Sequence, residues 1–262
     1  MCGKNTHLAQ KIKVGAVSYL NTKPLIYGFE QGSMKDEIEL IFDYPANIAA
    51  LLIQDKIDIG LIPVAVIPLL KEHHIVSDYG IACDGEVASV CLFSDVPLQE
   101  IETILMDYQS RTSVALLKIL LKEHWKISPL LMAATANYEN EIAGTTAGLV
   151  IGDRALVQRQ KSKYIYDLGT AWKEMTGLPF VFAAWVSNKA LPAEFIAAFN
   201  KANETGLIHL DEVIRQNPLT VFDLKSYYTD FVKFKLNSRM QEAKALFLKK
   251  ISTINALDAA TI

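Results

Sequence analysis

Ile12 to Val17 is a short run of β-type residues that empties into the polar loop Ser18-Tyr19-Leu20-Asn21-Thr22, and Pro24 follows at once. From there the apolar residues recur at helical spacing through Leu25 to Gln31, until Gly32 closes the segment. Proline suits a first helical turn because its missing N–H would be unpaired there in any case. A strand that runs out at a helix start leaves main-chain N–H groups pointing outward, which makes a ready site for an anion. The arrangement recurs. Ile38–Phe42 leads through Asp43-Tyr44-Pro45 into a helix over 48–54, and Ile57–Ile62 completes a β-α-β unit.

Further along, Ile101–Met106 runs into Asp107-Tyr108-Gln109-Ser110-Arg111-Thr112-Ser113, and a helix over 114–125 carries Val114, Leu117, Leu120, Leu121 and Trp125 on one face. Gly148–Ile151 reads as a strand, with Gly152-Asp153-Arg154 opening the next helix. Strands alternating with helices predict an α/β fold with largely parallel sheets. Two β-rich passages, 87–94 and 180–186, have no helix immediately after them and read as hinge strands. They divide the chain into one lobe of 12–92 plus 185–262 and a second of 94–183, with a ligand cleft between them. Residues 1–10 read as a flexible tail.

Composition narrows the function. A net charge of −3 and a pI near 6 argue against general affinity for nucleic acid or acidic membranes. No apolar run approaches the roughly 20 residues that cross a bilayer, and the polar stretch Met1–Gln10 lacks the apolar core of a signal peptide. Cys2, Cys83 and Cys91 have no C-x-x-C spacing, so reduced thiols in a cytoplasmic protein are expected. His73, His74 and His124 lack metal-ligand spacing, and no metal site is expected.

Ser18 with Asn21, Ser89, Thr112 with Ser113, and Asp153 all fall at predicted strand C-terminal ends, the edge where open α/β sheets bind ligands. Ser110-Arg111-Thr112-Ser113 combines hydroxyls, an arginine and free N–H groups, which suits a carboxylate; it reads equally as an ordinary N-cap. Asp153 reads as a helix cap or as a ligand contact. Ser18 and Asn21 together exceed what a single cap needs. Phe180 belongs either to the core or to the wall of the cleft. The residues by themselves reach a two-lobed α/β protein for a small anionic ligand.

The motifs go further. Val14-Gly15-Ala16-Val17-Ser18-Tyr19-Leu20-Asn21-Thr22-Lys23-Pro24-Leu25 resembles the opening of the chorismate dehydratase family, which acts at the start of the futalosine route to menaquinone. Ser89-Val90, Leu92-Phe93-Ser94, Ser110-Arg111-Thr112-Ser113, Ile151-Gly152-Asp153, Asp167-Leu168-Gly169 with Trp172, and Thr176-Gly177-Leu178-Pro179-Phe180-Val181-Phe182-Ala183 extend the resemblance to about residue 186. Ala46 and Glu86 depart from the family pattern, the first lacking a common serine hydroxyl and the second adding a negative charge near the hinge.

The resemblance implies a two-lobed type II periplasmic-binding-protein-like fold used as a hydro-lyase. The reaction converts chorismate to 3-[(1-carboxyvinyl)oxy]benzoate with no cofactor and no metal. Asn21 is the expected catalytic residue, with Ser18, Ser89, Thr112, Ser113, Asp153 and Phe180 binding the substrate; Asp153 and Asp107 are open as assisting acids. The expected partner is a small dicarboxylate, with no nucleic acid or membrane, and the protein is expected as a monomer or homodimer. A solute-binding protein for a small anion, or the related 1,4-dihydroxy-6-naphthoate synthase, are the alternatives.

Overall fold

A computed structural model describes residues 11–260, so the tail expected over 1–10 lies outside the described residues. The chain opens β1 (Ile12–Val17), α1 (Lys23–Gln31), β2 (Ile38–Asp43), α2 (Pro45–Ile53), β3 (Ile59–Pro63) and β4 (His74–Cys83). It continues through β5 (Val90–Ser94), β6 (Thr103–Met106), α3 (Arg111–Leu120), β7 (Leu130–Ala133), β8 (Thr146–Ile151), α4 (Asp153–Gln158), β9 (Tyr164–Asp167) and α5 (Leu168–Thr176). Then come β10 (Phe180–Ser187), α6 (Ala193–Ile208), α7 (Leu210–Gln216), the single turn α8 (Leu224–Ser226), β11 (Lys233–Lys235) and α9 (Ser238–Ala260).

Pro24 and Pro45 sit in the first turns of α1 and α2, where a missing N–H breaks no helical bond. The amphipathic helix read over 114–125 begins three residues earlier, at Arg111, because the Ser110 side chain caps it by accepting the Ser113 N–H. Its last turn, Leu121–Trp125, widens to π-type before Lys126 ends it in the left-handed region.

Two sheets result. The first has strand order β11-β4-β10-β3-β1-β2 and the second β7-β6-β8-β5-β9. The parallel pairs are those predicted from strand–helix alternation, β1 with β2 and β3, and β6 with β7 and β8. Both sheets are nevertheless mixed, since β10 runs antiparallel to β3 and β4, and β5 antiparallel to β8 and β9. β5 and β10 are the strands by which the chain enters each sheet from the other, so no β-α-β unit within one sheet sets their direction. The passages read as hinges each belong to one sheet: β5 lies wholly in the second and β10 wholly in the first. The chain crosses between sheets over 84–89 and returns over 168–179. One apolar cluster runs through both, from Val14 and Trp185 in the first to Ile104 and Leu149 in the second.

Candidate active site

The C-terminal ends of β1, β3 and β8 and the start of α3 converge on one cavity of about 490 Å3, its mouth included. Tyr19, Asn21 and Thr22 enter it from the loop after β1; Pro45 and Pro63 come from the ends of β2 and β3. Ser110 and Ser113 enter from the start of α3, Gly152 from the end of β8, and Ser89 from the crossing segment. Phe182 and Ala183 close one wall. Both sheets therefore contribute, as open α/β sheets do where strands end.

Asn21, Ser89 and Ser113 are brought together here. Thr112 is buried beside them, but its hydroxyl accepts the Ala65 N–H at 3.2 Å, a contact between the sheets rather than with the cavity. Asp153 turns its carboxylate onto the Leu20 N–H and lies outside the lining. Ser18 is exposed, with its own N–H donated to the Asp43 carbonyl at 3.2 Å. Phe180 stands in an aromatic cluster with Trp172, Phe182 and Phe247, 1% exposed, and it is Phe182 that reaches the cavity.

No lysine or arginine lines the cavity among the described residues, and Arg111 faces out of it, exposed. Negative charge on a ligand has hydroxyls, the Asn21 amide and the first-turn N–H groups of α3 to meet it. Tyr19 is the one titratable side chain in the lining. Burial, and then the charge of Asp107, push its phenol well above the usual tyrosine range, so it stays protonated and donates. Its hydroxyl donates to Gln109 Oε1 in the loop before α3.

Behind that contact lies a buried polar network. Asp107, 4% exposed, accepts the Gln109 and Ser110 N–H groups at 2.7 and 3.1 Å, the Tyr138 hydroxyl at 2.8 Å and Arg154 Nη2 at 2.6 Å. Arg154 also donates to Gln109 Oε1 at 2.9 Å and to Glu139 at 2.6 Å. Burial raises the Asp107 pKa even against these partners. With its oxygens engaged four times over, Asp107 organises the loop before α3 and has no free oxygen for a substrate.

Three contributors were not singled out in the sequence. Tyr19 and Phe182 lie inside matched motifs, but nothing local distinguishes them from core aromatics. Tyr227 comes from the C-terminal part of the chain, and its buried hydroxyl donates to Ser89 Oγ at 2.7 Å and sits against the Asn21 amide. Among the described residues, no group of three or more His, Cys, Asp and Glu is placed to hold a metal ion.

Residues 12–253 match the family described as menaquinone biosynthesis. The chorismate dehydratase of Thermus thermophilus is 29% identical over 228 residues, covering 76% of this chain and 79% of the relative. That of Campylobacter jejuni is 26% identical over 250 residues, covering 92% and 98%. Among solved structures, a protein of Archaeoglobus fulgidus superposes with a TM-score of 0.76 at 17% identity, over 96% of this chain and all of the other. A Candida albicans protein described as having the generic periplasmic binding protein fold gives 0.60 at 15% identity, over 94% and 90%. At such identities these two likenesses establish the fold, which is of the periplasmic-binding-protein kind.

Proposed function

The chain belongs to the menaquinone-biosynthesis family, and on that premise we propose that it removes water from chorismate to give 3-[(1-carboxyvinyl)oxy]benzoate, an early step of the futalosine route. The observation that carries this reading is a cavity shared by both sheets, lined by Asn21, Ser89 and Ser113 and by no side chain able to act as a base. Chorismate brings its own base. Its enolpyruvyl carboxylate takes the proton from ring C3, the C–H electron pair becomes the C3–C4 π bond, and the C4–O bond breaks. The same carboxyl group returns its proton to the departing hydroxide, so one water leaves and the ring becomes aromatic.

The protein's part is then to position and to stabilise. Holding the carboxylate against C3 can remove about 7–11 kcal/mol of barrier. The Asn21 amide donates to the departing C4 oxygen, which needs a donor already in place. Ser89 and Ser113, with the first-turn N–H groups of α3, hold the substrate carboxylates. Thr112, Asp153 and Ser18 contribute through the backbone contacts they fix, and Phe182 takes the wall position expected of Phe180. The two sheets act as lobes that flex over 84–86 and 177–179, outside the turn at Ser89 and the helix α5, and their closure excludes water.

Among the described residues no helix is long and apolar enough to cross a membrane. We place the protein in the cytoplasm as a monomer or homodimer, acting on this small dicarboxylate without nucleic acid or lipid. Incubation of the purified protein with chorismate tests the reading: the diene absorbance gives way to that of a substituted benzoate. Retention of chorismate without conversion would make the protein a binding module instead.

A further inference from the structure

Ser89 reaches the cavity from a backbone that does not relax easily. Its N–H donates to the Val87 carbonyl at 2.8 Å, closing a three-residue turn around Ala88, and Ala88 has φ +63. A γ-turn of this hand, built on a residue with a Cβ, is rare and strained. Strain of this kind survives only where the surroundings over-determine it, and such places cluster at functional sites.

The surroundings are identifiable. Asp167 Oδ2 accepts the Ala88 N–H at 2.8 Å and the Val87 N–H at 3.1 Å. Its Oδ1 caps α5, accepting the Gly169 N–H at 2.9 Å and the Thr170 N–H at 3.0 Å. One carboxylate thus ties the rigid start of α5 to the strained turn. Gly169 makes the approach possible, since a Cβ there would lie 2.4 Å from the Gly85 carbonyl oxygen and 2.6 Å from Cys83 Sγ. On the far side of the turn, the Ser89 carbonyl accepts the Gly152 N–H at 2.8 Å and the Ser89 hydroxyl accepts from Tyr227.

We propose that Asp167 is a positioning residue for the dehydration, which holds the strained Val87-Ala88-Ser89 turn and so aims Ser89 at the substrate carboxylate. Four amide donors on two oxygens explain why a carboxylate is needed. An asparagine offers one acceptor oxygen, and its NH2 would face the N–H groups of either the turn or the helix. Asp167 itself lines no part of the cavity, so its influence passes through the turn, whose Val87 and Ser89 both line it and of which Ser89 alone carries a side chain able to bind a carboxylate.

The inference rests on the chorismate reading for its substrate, and a double-mutant cycle tests it. D167N is expected to lower kcat/KM for chorismate at least tenfold. In an S89A background the same substitution is expected to change kcat/KM less than twofold, because the group it aims is gone. A88G added to D167N is expected to recover at least half of the loss on a logarithmic scale, since glycine takes positive φ without a steric penalty. If D167N fails to fold, D167E, which keeps the carboxylate but moves it by one methylene, is read through the same cycle. D167N activity within threefold of wild type overturns the inference, as does an equal loss with and without Ser89. A wild type that leaves chorismate unconverted overturns the function and this inference with it; additive losses in an active wild type overturn this inference alone.

Discussion

The carboxylate of Asp153 accepts the backbone N–H of Leu20, with Oδ1 at 3.0 Å and Oδ2 at 3.3 Å. Leu20 begins the turn that runs into α1, and Asp153 begins α4 beyond the other sheet. The anion at this helix start is therefore supplied by the protein itself. The contact also fixes the loop that carries Asn21.

Burial raises the Asp153 pKa, with the Leu20 N–H and Lys23 opposing it only in part. A carboxyl whose pKa is higher folded than unfolded binds more protons in the folded state, so its contribution to stability falls as pH rises between the two values. D153N imitates the neutral form and escapes that penalty. Its Tm is expected to exceed that of wild type at pH 7, by about 2–4 °C for each kcal/mol relieved. The gain should shrink towards nothing as pH falls to about 4, the unfolded carboxylate value. Chorismate turnover should fall over the same comparison, because the charge that anchors Leu20 is lost. Calorimetry at several pH values checks the first part and initial rates the second.

Asn21 is asked to meet the departing C4 oxygen with a preorganised donor. Removal of one such donor from an active site costs about 3–4 kcal/mol, or roughly 100- to 1000-fold in kcat. N21A is expected to lose that much while its Tm stays within a few degrees of wild type. Turnover within a few-fold of wild type would assign the role elsewhere.

Tyr19 and Gln109 join the loop after β1, in one sheet, to the loop before α3, beside the other. In Y19F the hydrogen bond between them is lost, yet Gln109 Oε1 keeps Arg154 as a donor and is not orphaned. The loss is then the net value of one hydrogen bond, about two- to tenfold. It should fall on KM, because the pair holds the closed form rather than the reacting atoms. A tenfold drop in kcat at unchanged KM would place Tyr19 in the chemistry.

The parts of this arrangement set by local physics were legible in the sequence. Pro24 and Pro45 mark helix starts wherever they stand, and the Ser110 cap with the apolar face behind it announces α3. The remainder depends on contacts between distant segments. Tyr227 meets Ser89 across 138 positions, and no periodicity near either residue encodes the pairing. Nothing near His74 announces the start of β4, because its first residues follow a proline-containing turn and pair with β10 through an irregular register. A second shift in that register, between Val181 and Ala183, upsets simple alternation along β10 and makes the roles of Phe180 and Phe182 unreadable from spacing.

Those two phenylalanines should separate on substitution. Phe180 lies 4.7–5.1 Å, centroid to centroid, from Phe182, Phe247 and Trp172. F180A is expected to destabilise the fold by about 3–5 kcal/mol, with kcat and KM of the folded fraction largely kept. F182A removes part of the cavity wall, so it should raise KM at a smaller cost in Tm. Denaturant titration together with steady-state kinetics on both variants decides the assignment. The reverse pattern would return Phe180 to the cavity.

A last consequence concerns residues far from the substrate. α1 carries the Asn21 loop at its start, and its place is set by α6, which it meets through glycines on both sides. A Cβ on Gly206 would stand 1.8 Å from the Pro24 carbonyl oxygen, and one on Gly28 2.1 Å from the Ala202 carbonyl oxygen. Both obstacles are main chain, so no side-chain rotation relieves them, and the helices must move apart. Overpacking of this sort costs about 1–3 kcal/mol, sometimes more, which for a chain of this size is a Tm lower by about 2–12 °C. Pro24 lies three residues after Asn21, so a displaced α1 takes the Asn21 amide with it. G206A should therefore lose kcat well beyond what its Tm explains when assayed far below the transition, whereas an exposed change on the same helix, such as K201A, should leave kcat alone. Equal kcat in G206A and wild type would mean that the Asn21 loop is held by its own contacts, the Asp153 carboxylate and the Tyr19–Gln109 bond among them, independently of the helix behind it.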